Sequence, residues 1–256
     1  PYLLFTIFNR WGEMIRQLKT SPKKGVNRIV WDGRYPSKDP VSLQTGQRAP
    51  WQLPEGGGFA MPGGYYVSLD KVVSGERTKL TDGQRFNLMP LSGTTLPAED
   101  LKALNDYVQK AAELERAFQG ATKTLGELKN TLKFIRRAAG TIGSPVDMLA
   151  DIKAMDEKMR SLNKAFYGDG TASRLDQPAP PSLMGRIYGM SYDIWSSTSA
   201  PTSTMQEQLD IATTLFEAEL PKLRELVEVD LKNIEKKLED AKAPYTPGRL
   251  PEWGGK

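Results

Sequence analysis

Two pairs of carboxylates stand one helical turn apart in this 256-residue chain, Asp147 with Asp151 and Glu235 with Glu239. Glycoside hydrolysis uses paired carboxylates, but it needs them facing each other across a cleft about 5 to 9 Å wide. Residues four apart share one helix face, and these pairs have Lys153 and Lys236 beside them, so both read as solvated polar faces. Asp32 and Arg34 read as a turn-capping aspartate next to a surface arginine. The chain contains neither histidine nor cysteine. That excludes Ser-His-Asp triads, His-dependent metalloproteases, thiol nucleophiles, disulfides and the usual zinc sites. The Asp-x-Asp-x-Asp-Gly spacing of a calcium loop is missing as well. No catalytic residue, cofactor site or metal site is expected, and any activity would have to rest on carboxylate, lysine, tyrosine or serine.

The residues suited to contact are easier to place. Of the five tryptophans, Trp31 closes an apolar run and reads as core. Trp51 and Trp253 lie in irregular segments flanked by proline and glycine, where an indole can meet a partner or stack on a sugar. Phe59 follows Gly56-Gly57-Gly58, a run that lacks the Lys-Ser/Thr ending and strand-to-helix setting of a phosphate loop. Lys23 and Lys24, with Lys19 and Arg28, form a basic cluster able to meet phosphate or an acidic partner, or else the solvated tip of a hairpin. No nucleic-acid motif accompanies it. Trp51, Phe59, Trp253, Lys23 and Lys24 are therefore the expected partner-binding residues. Met148, Met155 and Met159 recur at helical spacing and read as packing.

The elements that must carry these residues change period along the chain. Up to about residue 90 the signal is short and β-like. Leu3–Phe8 and Glu13–Lys19 flank the turn Asn9-Arg10-Trp11-Gly12, a hairpin pattern. Val26–Trp31 reads as a third strand ended by Asp32-Gly33, Gly64–Val73 as a fourth, and Arg77–Leu80 and Gln84–Met89 complete the set. Such spacing predicts a small antiparallel sandwich, Ig-like or fibronectin-III-like, over residues 1–92. A loop rich in proline and glycine, 36–63, interrupts it and is long for a compact domain.

From about residue 96 the apolar residues recur at three- and four-residue steps. Leu101 through Ile135 form one stripe of about ten turns, roughly 60 Å long, with Pro97 in its first turn and Gly140 at its end. Ser144 reads as the cap of a second helix, with Pro145 at its first position, and Gly168-Asp169-Gly170 as its stop. A short helix holds Leu183, Ile187 and Ile194. Pro201 opens a last long helix, with Thr204 and Glu207 spaced as a capping box and Pro221 set to kink it near Glu217. Three long amphipathic helices and one short one predict an elongated antiparallel bundle over 96–243, followed by an irregular tail, 244–256. The class expected is thus α+β, in two domains.

Formal net charge is +4, with 13 Lys/Arg against 7 Asp/Glu in residues 1–95 and 22 against 24 thereafter. No run approaches the 18–20 apolar residues of a membrane helix, and no signal-peptide pattern is present. The chain opens with Pro1 and goes directly into an apolar strand, which reads as the carboxy-terminal part of a longer polypeptide or as a processed one.

Val26-Asn27-Arg28-Ile29-Val30-Trp31-Asp32-Gly33-Arg34-Tyr35-Pro36, Met61-Pro62-Gly63-Gly64-Tyr65-Tyr66-Val67-Ser68-Leu69 and Gln84-Arg85-Phe86-Asn87-Leu88 together carry a resemblance. So do Pro180-Pro181-Ser182-Leu183, Ala200-Pro201-Thr202 and Leu226–Lys237 in the helical part. The chain resembles the tail of bacterial secreted sortilin-like or BNR-repeat "glycosyl hydrolase" β-propeller proteins. In these an Ig-like module, similar also to the flagellar hook-capping fold, and then a helical segment follow the propeller. Met89-Pro90-Leu91 stands where that family runs into an Asp-Pro-Arg-like segment, and the 36–61 loop is longer than usual. The resemblance implies an extracytoplasmic location, periplasmic or secreted. It places any hydrolase or ligand site in a propeller this chain does not contain, so no catalytic residue carries over. The expectation is a non-catalytic structural or interaction module, a scaffold or accessory subunit whose partner is another protein or an upstream propeller. It has no membrane span of its own and no nucleic-acid partner. Two alternatives stand beside it: an accessory part of a secreted hydrolase, and a glycan-binding module.

Overall fold

The computed structural model describes residues 1–41, 56–91, 99–196, 199–251 and 253, with side chains for all of these except 191–196. The fold is mixed, with antiparallel strands first and helices after. Two compact units divide it: Pro1–Glu113 with Met190–Gln206, and Leu114–Gly189 with Glu207–Lys256.

The first unit is built on β1 (Tyr2–Asn9), β2 (Met14–Thr20), β3 (Gly63–Val73) and β4 (Glu76–Leu88), in the antiparallel order β2-β1-β3-β4. The β3–β4 turn uses Ser74 and Gly75 at φ 52° and 88°, the doubly positive geometry that matches the twist of a tight hairpin. In the β1–β2 hairpin the register shifts between Ile7 and Phe8, whose partners are Arg16 and Met14. The extra residue is Ile15, which the bulge turns into the core beside Ile7, Ala60 and Tyr65. Arg77–Leu80 and Gln84–Met89, expected as separate strands, fall on one long β4 that ends at Leu88.

Val26–Trp31 is not a strand. It joins no ladder among the described residues, and Val26 and Val30 stand 100% and 77% exposed. Residues 31–36 instead cross one face of the sheet. Trp31 packs edge-on against Tyr65 and Phe86, with ring centroids 5.6 and 6.1 Å away. The described residues thus give a single four-stranded sheet with a covering segment.

Among the described residues five α-helices of ten residues or more follow: α1 (Leu101–Thr141), α2 (Val146–Tyr167), α4 (Leu183–Ser196), α5 (Ser203–Glu225) and α6 (Leu231–Asp240). A short α3 (Gly170–Arg174) lies between α2 and α4. Asp100 caps α1 by accepting from the N–H groups of Lys102 and Ala103 at 2.9 and 3.0 Å. Ser144 is not the cap of α2. At φ 50° it ends the preceding turn, its N–H donating to Ala139, and α2 begins without a side-chain cap. Thr202, rather than Thr204, caps α5, accepting from Met205 N–H at 3.2 Å.

In the second unit the apolar stripes meet as their spacing demands. Leu114, Phe118, Leu125, Leu132 and Ile135 of α1, all six periodic residues of α2 and Leu209, Ala212, Phe216 and Leu223 of α5 are buried. Phe118 joins the three helices, its ring 5.3 Å from Phe166 and 6.1 Å from Phe216. The helical path continues through Pro221 into a π-helical turn, Leu226–Asp230, closed by Leu231 N–H to Leu226 C=O. Among the described residues no helix is long and apolar enough to cross a membrane.

Candidate interaction surface

The β1–β2 hairpin tip is held by one buried side chain. Asn9 Oδ1 accepts from the N–H groups of Trp11 and Glu13 at 3.0 and 2.9 Å, while its Nδ2 donates to Glu13 Oε2 at 2.7 Å. Gly12 takes φ 83° to complete the turn. An asparagine can do this because its amide offers donor and acceptor together. The result is a rigid tip presenting Trp11 and Met14, each 59% exposed, with the Arg10 guanidinium stacked 4.4 Å from the indole.

Beside this tip lies the neck of the long loop. Residues 33–35 and 57–60 run antiparallel: Tyr35 N–H donates to Gly58 C=O, Gly57 N–H to Tyr35 C=O, and Ala60 N–H to Gly33 C=O, at 2.7 to 3.0 Å. A side chain at 57 would place its Cβ 2.6 Å from the Pro36 carbonyl, so the middle of the triple glycine is what lets the two backbones close. Asp32 does cap this turn, accepting from Arg34 N–H at 3.0 Å.

Tyr35 connects neck, hairpin and helix. Its carbonyl accepts from Arg16 Nη1 at 2.8 Å, and its hydroxyl donates to Asn105 Oδ1 on α1 at 3.2 Å. Burial, and then the negative charge of Glu13, push the phenol above its usual pKa, so it stays a neutral donor. The Tyr35–Asn105 link is a ridge between two hollows. One, about 90 Å³, reaches Trp11, Tyr65 and Lys102. The other, about 680 Å³, runs along Met14, Arg16, Ser37 and Lys38. Lys38 is tied to Glu113 of α1 at 2.7 Å.

The residues expected to bind a partner are scattered. Trp51 lies outside the described residues. Phe59 is at the neck, half-buried under the Arg34 guanidinium at 3.8 Å. Lys23 and Lys24 are exposed on a turn closed by Asn27, whose side chain bonds both N–H and C=O of Lys23. That turn follows the end of β2 and is not a hairpin tip. Trp253, in the second unit, is 92% exposed.

The carboxylates of both pairs are held in ion pairs, and the first pair converges on one lysine. Asp147 and Asp151 both reach Lys237 of α6, at 3.4 and 2.5 Å, and this lysine holds the Asp147 carboxyl below its usual range. Glu235 pairs with Lys232 at 2.8 Å, and Glu239 with Arg249 at 3.3 Å. Met148, Met155 and Met159 are core. Among the described residues no group of three or more acidic residues could hold a metal ion.

Trp11, Met14 and Arg10 were not singled out in sequence, although the turn pattern around Asn9 signals a hairpin tip, where a tryptophan has no core to enter. Tyr35 with Asn105 carries no local signal, because the two are 70 residues apart. Comparison of the chain with protein-family models, curated proteins and solved structures finds no match.

Proposed function

We propose that the chain is a non-catalytic, extracytoplasmic interaction module that holds a protein neighbour at the hairpin tip and the adjoining Tyr35 hollows, as a scaffold or accessory subunit of a larger assembly. The observation that carries this is the tip itself. An aromatic, a methionine and an arginine, the residue types concentrated at interface centres, stand exposed on a turn that a buried asparagine makes rigid. A rigid tip loses little conformational freedom on binding. The finer architecture belongs to the same proposal: the four-stranded sheet is one layer of an Ig-like sandwich, and the helices of the second unit are a bundle that serves as spacer. The extracytoplasmic location rests on the resemblance of the strand motifs. A second reading, glycan binding, is favoured by the exposure of Trp253.

The test is co-purification of the full chain from its native source, as wild type, as W11A/M14A and as W253A, with thermal unfolding recorded for each. The double variant is expected to lose a stoichiometric neighbour while its unfolding midpoint stays within about 2 °C, since both residues are surface substitutions. Retention of the neighbour by W11A/M14A would remove the hairpin tip from the function. Its loss from W253A alone would move the function to the second unit.

A further inference from the structure

Two grooves of nearly equal size run along α2 in the second unit, and their charges differ. The groove towards α6, about 430 Å³, sets three lysines against three aspartates. The groove towards α1, about 420 Å³, is walled by Lys129, Lys133 and Arg136 of α1 and by Arg160 and Lys164 of α2. Among the described residues only Asp156 and Asp169 answer them there. Arg136 and Arg160 share the single carboxylate of Asp156, at 3.1 and 2.8 Å. Lys164 takes Asp169 at 2.9 Å. Lys129 donates to the neutral Asn163 amide, and exposed Lys133 has no partner among the described residues. Three positive charges are left uncompensated.

Their spacing gives them a direction. Positions 129, 133 and 136 fall in one row along a helix, spanning about 10 Å, and 160 and 164 form a matching row on the opposite wall. The floor is apolar: Leu132 and Met159 are 1% and 2% exposed. Lysine ammoniums held this close repel one another, and an anion between them relieves that repulsion. The two guanidiniums offer planar forks suited to a tetrahedral oxyanion. We infer that this groove binds a small multivalent oxyanion, one whose phosphate or sulfate groups are spread over about 10 Å. The row is shorter than the six to ten phosphate contacts a duplex-binding surface makes, so the ligand is a small molecule.

Inorganic tripolyphosphate and a trisulfated disaccharide, titrated separately into the full chain by calorimetry at about 50 mM salt, test this and tell the two sources apart. One-site binding of either is expected, weakened at least about tenfold by K133E, which alters an exposed lysine without a partner and leaves the fold intact. K236E makes the same charge change in the balanced groove and is expected to weaken binding less than about twofold. No binding of either ligand at about 1 mM, or equal weakening by K133E and K236E, would overturn the inference.

Discussion

Asp169 shows how much local order one side chain supports. It caps α3, accepting from the N–H groups of Thr171 and Ala172 at 2.9 and 3.2 Å, and pairs with Lys164 at 2.9 Å. The lysine first, and then the two N–H groups, lower its pKa from 3.8 to about 2. A carboxyl lowered in this way stabilises α3 above pH 3.8, and that contribution is lost as pH falls through about 2. The Thr171 and Ala172 amide resonances should therefore titrate with a midpoint near pH 2, and a midpoint near 3.8 would refute the cap. D169N should keep the cap, since asparagine serves almost as well there, and abolish the titration. Sequence shows Gly168-Asp169-Gly170 as the stop of α2, and it is; that the same aspartate also starts α3 is not legible, because a five-residue helix has no periodicity to detect. A different limit, sequence separation, hides the Tyr35–Asn105 hydrogen bond, which joins loop to helix across 70 residues and is made by the fold alone.

At the scale of elements, the π-helical turn keeps α5 and α6 on one core. Leu226 and Ile234 are eight residues apart, which in a regular α-helix leaves them about 80° out of phase. A π turn inserts one residue, and both side chains are buried, with Leu238 beside them. It also brings Glu225 and Asp230, five apart, to the same lysine, Lys158, at 2.8 Å each. Deleting exposed Val229 should convert the turn to regular helix with phase and ion pairs kept, moving the unfolding midpoint by no more than about 2 °C. Deleting Asn233, in the regular helix beyond, should rotate Ile234 and Leu238 off the core at about 2 to 5 kcal/mol each, a midpoint loss of about 10 °C or more. Equal effects of the two deletions would refute this role for the π turn. The stripes of α1, α2 and α5 were legible because one apolar face repeats for many turns. The π turn was not, since it only shifts the phase: Val227 and Leu231, which lie at helical spacing from Leu223, are half-buried, and Leu226 takes the place in the core. Val26–Trp31 misleads for another reason. Its β-branched residues signal extended backbone, and a strand also needs a partner, which no local pattern supplies.

For the molecule as a whole, the neck and the loop it closes call for separate tests. Excising residues 40–60 would report on binding by the loop only if those residues contributed little to stability. The neck makes that excision uninformative. It would remove buried Ala60, three backbone hydrogen bonds to residues 33–35 and the Phe59 ring under Arg34. At about 0.5 to 1.5 kcal/mol for each hydrogen bond, the first unit should lose a measurable share of its stability. Replacing only 42–55 with about four glycine and serine residues keeps the neck, and a shorter closed loop costs slightly less entropy. This smaller excision should leave thermal unfolding nearly unchanged, while the larger one lowers it. Because the smaller excision also removes Trp51, it isolates the loop's share in binding: the neighbour proposed for the hairpin tip should be retained more weakly, scored by its yield relative to wild type. Retention at the wild-type level would leave the hairpin tip and the Tyr35 hollows as the whole of the binding surface, with the loop outside it.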